Sequence, residues 1–179
     1  MRNDAVLIVE AMTPSMCPEV ISWAGDSTTK FHWTGNTWPY PVGISEFESH
    51  VAAIESDRSR TAFALRDDRS KRLIGYFEIG GVDLENHFGR LERFLLDPTM
   101  RGLGLGQTAM HVIEDQFFDD RRMHRLELVV ATDNLPAITC YERAGFHTEG
   151  TLRESRKFEE EWRSVQIMSL LRNEWEASR

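Results

Sequence analysis

The stretch that most constrains the fold of this chain runs from Leu91 to Arg122, where an apolar strand pattern, a glycine-rich turn and a helix pattern follow one another. The turn places Gly102, Gly104 and Gly106 within five residues. Glycine tolerates positive φ and has no Cβ, so this backbone is able to approach a ligand closely. Apolar positions then recur near a 3.6-residue period, namely Leu105, Ala109, Val112, Ile113 and Phe117. This spacing predicts a helix that begins close to Gly104 and directs its first N–H groups into the turn.

The start of this helix is predicted to bind an anion, most simply a phosphate group. Free N–H groups and a charge of about +0.5 at a helix N-terminus attract negative groups. A nucleoside triphosphate is disfavoured, because Gln107 and Thr108 follow Gly106 where a P-loop needs Lys and then Ser or Thr.

Two other interpretations of the glycines stay open at this point. The segment from Gly104 to Ala109 fits the dinucleotide-binding pattern G-x-G-x-x-A, and Glu127 lies about 20 residues downstream. In that fold, however, the strand leads straight into the first glycine, whereas here Pro98 would have to sit inside the turn. The glycines could also form a tight turn and do nothing more.

Two motifs resemble those of the GNAT acetyltransferases. The pattern Arg-x-x-Gly-x-Gly at residues 101–106 resembles the pyrophosphate loop of that family. Downstream, Asn-x-x-Ala at residues 134–137 and the run Tyr-Glu-Arg-Ala-Gly-Phe at residues 141–146 resemble its second acetyl-CoA motif. The chain is therefore identified as a member of this family, which implies an N-acetyltransferase that uses acetyl-CoA.

The composition indicates one soluble domain over residues 1–179. Hydrophobic residues make up 41%, and no apolar run approaches the ~20 residues of a membrane span. The net charge of −8 argues against nucleic acid and mildly favours a cationic acceptor. Cys17 and Cys140 are unclustered and the N-terminus shows no secretion signal, so a cytoplasmic location is expected. No metal is expected, because His111 and Glu114 are too few ligands.

The predicted elements follow the order β, α, α, β, β, β, α, β, α, β, β. This order describes an α+β domain around one mixed, mostly antiparallel sheet of about seven strands, and the GNAT family shares it. The segment from Phe31 to Tyr40 is predicted as a loop, because Gly35, Pro39 and Pro41 exclude a long helix.

The resemblance implies a binding site for the acetyl donor along the strand end, the turn and the second motif. The backbone of Leu95 and Leu96 would bind the pantetheine arm, and one N–H there would polarise the thioester carbonyl. Asn134 would also contact the donor, while Arg143 would either bind a CoA phosphate or remain a solvated helix residue. The pyrophosphate would be held by the turn residues, which are Arg101, Gly102, Leu103, Gly104, Leu105, Gly106 and Gln107.

Tyr141 occupies the position of the family's tyrosine and is the candidate general acid that protonates the leaving thiolate; the alternative is a core tyrosine on an apolar helix face. The predicted base is Glu92, acting through a water, with Glu127 second, although either could simply be an exposed strand residue. Several N-terminal acetyltransferases of the family carry glutamate where this chain has Val129, and the valine supports a second hypothesis, a non-catalytic domain that binds acyl-CoA. No cysteine has an adjacent base, so direct attack within a ternary complex is expected.

The resemblance implies that the segment between the first two helices lines the acceptor side. Trp33, Trp38 and Tyr40 would pack the carbon stem of an amine or sit over its cation, or they would only fasten helices to the sheet. The pattern Gly-Phe-x-x-Glu-Gly-x-x-Arg at residues 145–153, followed by Trp162, resembles the RimJ/RimL-like branch of the family. That branch implies a small-molecule amine or a protein N-terminus as the acceptor, and it leaves a homodimer open.

Overall fold

The computed structural model describes residues 6–179, apart from the side chains of residues 120 and 121. The first five residues, on which the expectation about a secretion signal partly rests, lie outside this range. The helices are α1 (Cys17–Ser22), α2 (Ser27–Thr34), α3 (Ile44–Ile54), α4 (Leu105–Arg121), α5 (Leu135–Arg143) and α6 (Arg172–Ala177), with short 3-10 helices at Pro14–Met16 and Pro98–Met100. The strands are β1 (Leu7–Ala11), β2 (Thr61–Asp67), β3 (Leu73–Asp83), β4 (Phe88–Leu96), β5 (Arg125–Ala131), β6 (His147–Phe158) and β7 (Glu161–Leu171).

The seven strands within residues 6–179 form one sheet in the order β1-β2-β3-β4-β5-β7-β6. β4 and β5 pair in parallel, and every other neighbouring pair is antiparallel. The predicted α+β fold with a mixed, mostly antiparallel sheet is therefore confirmed. None of the helices in this range is at once long enough and apolar enough to pass through a bilayer.

The sheet opens between β4 and β5. Their pairing stops at Leu91 with Leu128, although β4 continues for five more residues and β5 for three. On its other side, β4 shifts register against β3, and Arg93 within this bulge has a φ of 50°. A bulge bends a strand and increases its twist. The two strand ends therefore diverge and leave a gap in the sheet.

Each face of the sheet carries its own apolar core. Along β2, residues 62–65 alternate between the two cores, as the period of two in a strand requires. The face covered by α4, α5 and α6, called here the α4 face, buries Met110 and Phe117 completely. The face covered by α1, α2 and α3, called here the α2 face, buries Trp33 and Phe47. Burying a side chain of this kind contributes about 1.5–3 kcal/mol, so both sets of helices are held firmly against the sheet.

Two helices differ from the sequence prediction. α2 occupies part of the segment predicted as a loop, because the Asp26 side chain caps it by accepting a hydrogen bond from the Thr29 N–H at 2.6 Å. Gly35 ends the helix after eight residues, with a φ of 57°. The other unpredicted helix, α6, packs Trp175 into the core of the α4 face. Helices this short are stable only through tertiary packing, which a local pattern does not reveal.

Candidate active site

A cavity of about 970 Å³ lies where β4 and β5 separate. Both strand ends line it, together with α2 on one face of the sheet and the turn before α4 and α5 on the other. The cavity therefore reaches through the gap from the α4 face to the α2 face. Its size is that of a small-molecule site, and two ligands could meet inside it from opposite faces.

The glycine-rich turn forms the wall of the cavity on the α4 face. Gly102 and Gly104 have φ values of 76° and 79°, which side chains other than glycine rarely adopt. Gly104 is the N-cap of α4, as the spacing predicts, and it offers no side chain to cap the first-turn N–H groups. At the start of the turn, Asp97 is 2% exposed and accepts hydrogen bonds from the Thr99 N–H at 2.8 Å and the Arg72 guanidinium at 2.6 Å. The turn is thus anchored, and its helix-terminal N–H groups suit a diphosphate.

Close packing between α4 and α5 fixes the position of this turn. A Cβ added to Gly106 would come within 3.1 Å of the Cys140 sulfur, so a larger residue would push the helices apart. The Gln107 side chain donates a hydrogen bond to the Cys140 carbonyl at 2.9 Å. Asn134 caps α5 by accepting a hydrogen bond from the Ala137 N–H at 3.4 Å. These contacts hold the two predicted acetyl-CoA motifs side by side.

Of the residues predicted to bind the acetyl donor, some line the cavity and others do not. Gly104 and Leu105 form the helix start, Leu103 lies in the turn, Gln107 holds α5, and Arg143 is exposed at the end of α5 away from the cavity. The lining residues among them are Leu95, Leu96, Arg101, Gly102, Gly106 and Asn134.

The free edge of β4 offers backbone groups to the cavity. The Asp97 N–H donates to the Ile74 carbonyl of β3 at 2.9 Å. N–H groups alternate in direction along a strand, so the Leu96 N–H is directed to the opposite edge, where β5 has already diverged. This amide is therefore placed to donate a hydrogen bond to a ligand in the gap.

Tyr141 reaches the cavity from α5. Its side chain is 8% exposed and packs near the Phe146 ring, yet its hydroxyl makes no hydrogen bond to any residue between 6 and 179. Burial, and to a smaller extent the nearby Cys140, raises the pKa of Tyr141 well above its ordinary value. The phenol therefore stays protonated at neutral pH and has a hydroxyl available to donate.

Glu92 lies just beyond the point where β4 and β5 separate, and it lines the cavity. Its carboxylate forms ion pairs with Arg60 at 2.7 Å and Arg93 at 3.3 Å. A Cβ added to Gly80 would meet this carboxylate at 2.8 Å, so glycine at that position leaves room for it. The carboxylate is thus held in one place at the cavity wall.

A buried glutamate beneath Glu92 was not predicted from the sequence. Glu78 is fully buried and accepts hydrogen bonds from His50 at 2.8 Å, Arg60 at 2.9 Å, Arg93 at 2.8 Å and the Tyr76 hydroxyl at 2.5 Å. Burial alone would raise the pKa of Glu78, but the His50 hydrogen bond and the charge of Arg93 outweigh it and lower the pKa to about 2. The signal available in the sequence was one acid inside the apolar run of β3.

The second candidate base occupies a different environment. Glu127 lies opposite Arg90 in the part of β5 that is still paired with β4, and it does not line the cavity. Its carboxylate forms ion pairs with Arg90 at 2.7 Å and Arg125 at 3.3 Å. Val129, two residues further along β5, does line the cavity. Of the two candidate bases, Glu92 lines the cavity and Glu127 does not.

The three aromatic residues predicted for the acceptor lie at different depths. Trp33, on α2, lines the cavity, and its indole N–H donates to the Arg93 carbonyl in the β4 bulge at 2.9 Å. Trp38 packs against the Arg93 guanidinium, 5.3 Å from its ring centre, and does not line the cavity. Tyr40 is exposed and donates to the Gly25 carbonyl. The cation over Trp38 is therefore one of the chain's own.

Metal ligands do not gather in this site or elsewhere in the described part of the chain, where no group of three His, Cys, Asp or Glu side chains is arranged to hold an ion. His111 and Glu114 lie 3.4 Å apart on α4 and have no third ligand beside them.

The match to a family profile decides the relationship that the two motifs suggest. The sequence profile of the acetyltransferase (GNAT) family matches residues 27–146, about two thirds of the chain. The chain belongs to this family. The matched residues include the glycine turn, the open ends of β4 and β5, and Tyr141, all of which border the cavity.

Relatives within the family are acetyltransferases. The chain is 30% identical over 109 residues to "Probable N-acetyltransferase YjcK" of Bacillus subtilis and 29% identical over 111 residues to spermidine N(1)-acetyltransferase of Vibrio cholerae. Each match covers 61% of this chain, which spans only about 60% of the length of these curated relatives. The crystal structure of the Vibrio cholerae spermidine N-acetyltransferase with CoA and spermine superposes with a TM-score of 0.84 at 21% identity, over 94% of this chain and 97% of that one. That likeness establishes the fold.

Proposed function

We propose that this GNAT chain transfers the acetyl group of acetyl-CoA to a primary amine, by direct attack within a ternary complex. The observation that carries the proposal is the shared cavity, which is lined by Arg101 and Gly102 of the turn, by the free β4 edge at Leu96, and by Tyr141 and Glu92. A diphosphate at the turn and an amine at the α2 face would therefore enter from opposite sides.

The donor would be held largely by backbone groups. The uncapped start of α4 would bind the pyrophosphate, with Arg101 adding a charged donor. The pantetheine arm would follow the β4 edge, and the Leu96 N–H would donate to the thioester carbonyl as negative charge develops on it. Asn134 and the exposed Arg143 would contribute outer contacts to CoA.

The amine must be neutral to attack, and the free energy needed depends on the acceptor. A lysine-like amine of pKa about 10.4 needs roughly 4.6 kcal/mol at pH 7, whereas an α-amine of pKa about 8 needs roughly 1.4 kcal/mol. Glu92 would accept the proton through a water on the α2 face, since it lines the cavity while Glu127 does not.

Tyr141 would donate a hydrogen bond to the departing thiolate. Because an ordinary thiol of pKa about 8.5 is a stronger acid than this phenol, the proton stays on Tyr141 as the C–S bond breaks. The role that fits this buried phenol is therefore to stabilise the developing thiolate by a hydrogen bond, and the thiolate leaves to be protonated by solvent.

Replacement of Tyr141 by phenylalanine tests the proposal. Tyr141→Phe removes the hydroxyl and keeps the packing, so kcat should fall about 10²-fold or more while the Kd for CoA, measured by calorimetry, changes less than twofold. The matched control is Tyr40→Phe, because that phenol is exposed and outside the cavity. Full activity in Tyr141→Phe would contradict the role assigned to the Tyr141 hydroxyl.

A second candidate function is a non-catalytic domain that binds acyl-CoA. Two observations favour it: apolar Val129 lines the cavity, and Glu92 is already engaged by two arginines. Tight acetyl-CoA binding without thiol release across polyamines, aminoglycosides, amino acids and N-terminal peptides would support this function and contradict transfer.

The acceptor, the branch of the GNAT family and the oligomeric state are further parts of this proposal. Relatives named for spermidine or aminoglycosides favour a small amine. The RimJ/RimL-like pattern at residues 145–153 keeps a protein N-terminus as an alternative. We propose a cytoplasmic location for the enzyme on the basis of its composition. A homodimer is one possible oligomeric state.

A further inference from the structure

The charges that line the cavity do not suit a polycation. Two carboxylates and one histidine line it against five arginines, which are Arg60, Arg90, Arg93, Arg101 and Arg156. The first three are paired with Glu78, Glu92 or Glu127, whereas Arg101 and Arg156 form no ion pair among the described residues. Both carboxylates are already engaged: Glu92 pairs with two arginines, and Asp133 contacts His32 at 3.0 Å and Arg163 at 3.2 Å. A polyamine entering this cavity would therefore meet no carboxylate free to pair with it among the described residues.

One cavity arginine stands out on the α2 face. Arg156 is exposed on β6, and its guanidinium donates only to the Ser155 carbonyl at 3.0 Å, without a carboxylate partner in the part of the chain that the structure describes. The next two residues of β6 contact α2 and the turn after it: Phe158 packs on Phe31 of α2 with ring centres 4.5 Å apart, and the Lys157 carbonyl accepts a hydrogen bond from Asn36 in the turn at 2.8 Å. Arg156 therefore lies at the acceptor end of the cavity, away from the pyrophosphate turn.

The strand register places a second arginine beside it. Arg156 is directly opposite Arg163 on β7. The charge of Arg163 is already paired with Asp133 at 3.2 Å and Glu161 at 2.7 Å, and Arg163 does not line the cavity. The charge that remains for an anion is therefore that of Arg156, whose guanidinium suits the geometry of an oxyanion.

Building on the proposed amine acetylation, we propose that the acceptor is an amine that also carries an oxyanion, a carboxylate or a phosphate, which binds at Arg156. The anion fixes the far end of the acceptor while its amine reaches Glu92 and the thioester. Diamines and polyamines are poor acceptors, because they bring a second cation to Arg156, which has no carboxylate partner among the described residues.

The test compares acceptors of matched length but different charge. Thiol release is measured for ω-amino acids, n-alkylamines, α,ω-diamines and ω-aminoalkyl phosphates of four to eight carbons, with spermidine added. The wild type should use the better anionic series with a kcat/KM at least tenfold above the diamines of the same length, and this preference should shrink as salt screens the charges. The anionic series with the higher kcat/KM, ω-amino acids or ω-aminoalkyl phosphates, shows whether the acceptor carries a carboxylate or a phosphate.

Variants of the arginine then assign the preference to this site. Arg156→Gln should lose at least tenfold in kcat/KM for the anionic acceptors, mainly through KM, and change less than twofold for n-alkylamines, whereas Arg156→Lys should keep part of the preference. Arg153→Gln is the matched control, because Arg153 is exposed on the same strand and does not line the cavity.

Two kinds of outcome would overturn the inference. A preference for spermidine or diamines, or an anion preference unaffected by Arg156→Gln, would refute it and leave amine acetylation standing. Absence of transfer to every amine, including the uncharged-tail n-alkylamines that need no anion site, would refute the proposed function and this inference together.

Discussion

Glu78 on the α2 face and Glu114 on the α4 face are both buried, but their surroundings differ completely. Glu78 accepts hydrogen bonds from four side chains, two of them arginines, and its pKa falls to about 2. Glu114 is 1% exposed, one of its carboxylate oxygens has no partner among the described residues, and His111 approaches the other only to 3.4 Å. Burial raises the pKa of Glu114 to about 8, with a small opposing effect of Arg179.

The contrast indicates what each face contributes. On the α2 face, buried polar groups form one network around Glu78. Glu78 pairs with Arg60 and Arg93, and these two arginines pair with Glu92 at the cavity wall. The α4 face supports the glycine turn through apolar packing, and its buried acid is left protonated. Hydrogen-bonded polar groups are concentrated on the face where the proposed acceptor would be positioned, and apolar packing on the face where backbone groups would bind the proposed donor.

The largest expected effect comes from breaking the network on the α2 face. Glu78→Gln removes the fully buried one of the two carboxylates that half-buried Arg60 and Arg93 share, so the free energy of unfolding at pH 7 should fall by about 3–5 kcal/mol. Glu10→Gln is the matched control, because Glu10 pairs with Arg66 near the surface, where such pairs contribute about 0–1 kcal/mol. Denaturant titration measures both.

The pH dependence of Glu78→Gln sharpens this test. A carboxyl whose folded pKa is lowered stabilises the fold above its unfolded value near 4.5 and loses that contribution as the pH falls towards about 2. The difference between wild type and Glu78→Gln should therefore shrink across this window. A constant difference from pH 7 to pH 2 would contradict the role assigned to the ionised carboxylate.

A smaller, opposite effect is expected on the α4 face. A folded pKa of about 8 for Glu114 means that the folded state binds more protons than the unfolded state above pH 4.5, so stability falls as the pH rises to about 8. Glu114→Gln keeps the shape of the protonated acid. Its free energy of unfolding relative to wild type should therefore increase by on the order of 3 kcal/mol as the pH rises from 5 to 9. Exposed Glu142→Gln is the control, and an equal gain there would reject the assignment.

The smallest of these effects concerns the turn itself. Nothing lies within 4 Å of a Cβ added to Gly104, so Gly104→Ala should cost only about 1–2 kcal/mol for its positive φ, while the new methyl group weakens CoA binding roughly tenfold. Gly81→Ala is the matched control, since it has a φ of 58° and equally open space but lies away from the cavity. Equal CoA affinity of the two variants, measured by calorimetry, would show that the turn does not bind the donor.

Local patterns predicted the parts of the site that depend on local geometry. The helix start at Gly104 follows from the glycines and the 3.6-residue period, and the cap at Asn134 follows from its place before an apolar helix pattern. α2 differs from the predicted loop because Gly35, Pro39 and Pro41 act only after the helix has ended, while its N-cap, Asp26, precedes the segment that these residues mark. Trp38 and Tyr40 carry no signal that distinguishes a cavity wall from packing.

The sequence by itself determined the strand, turn and helix around the glycines, because positive φ, helix period and capping act over a few neighbouring residues. Only the tertiary structure decided which glutamate meets the cavity, since Glu92 and Glu127 lie in similar strand patterns and differ only by the point at which β4 and β5 separate. It also joined His50, Arg60, Glu78 and Arg93 into one network. These side chains come from separate elements, and their charges acquire a common role only when folding removes the water between them.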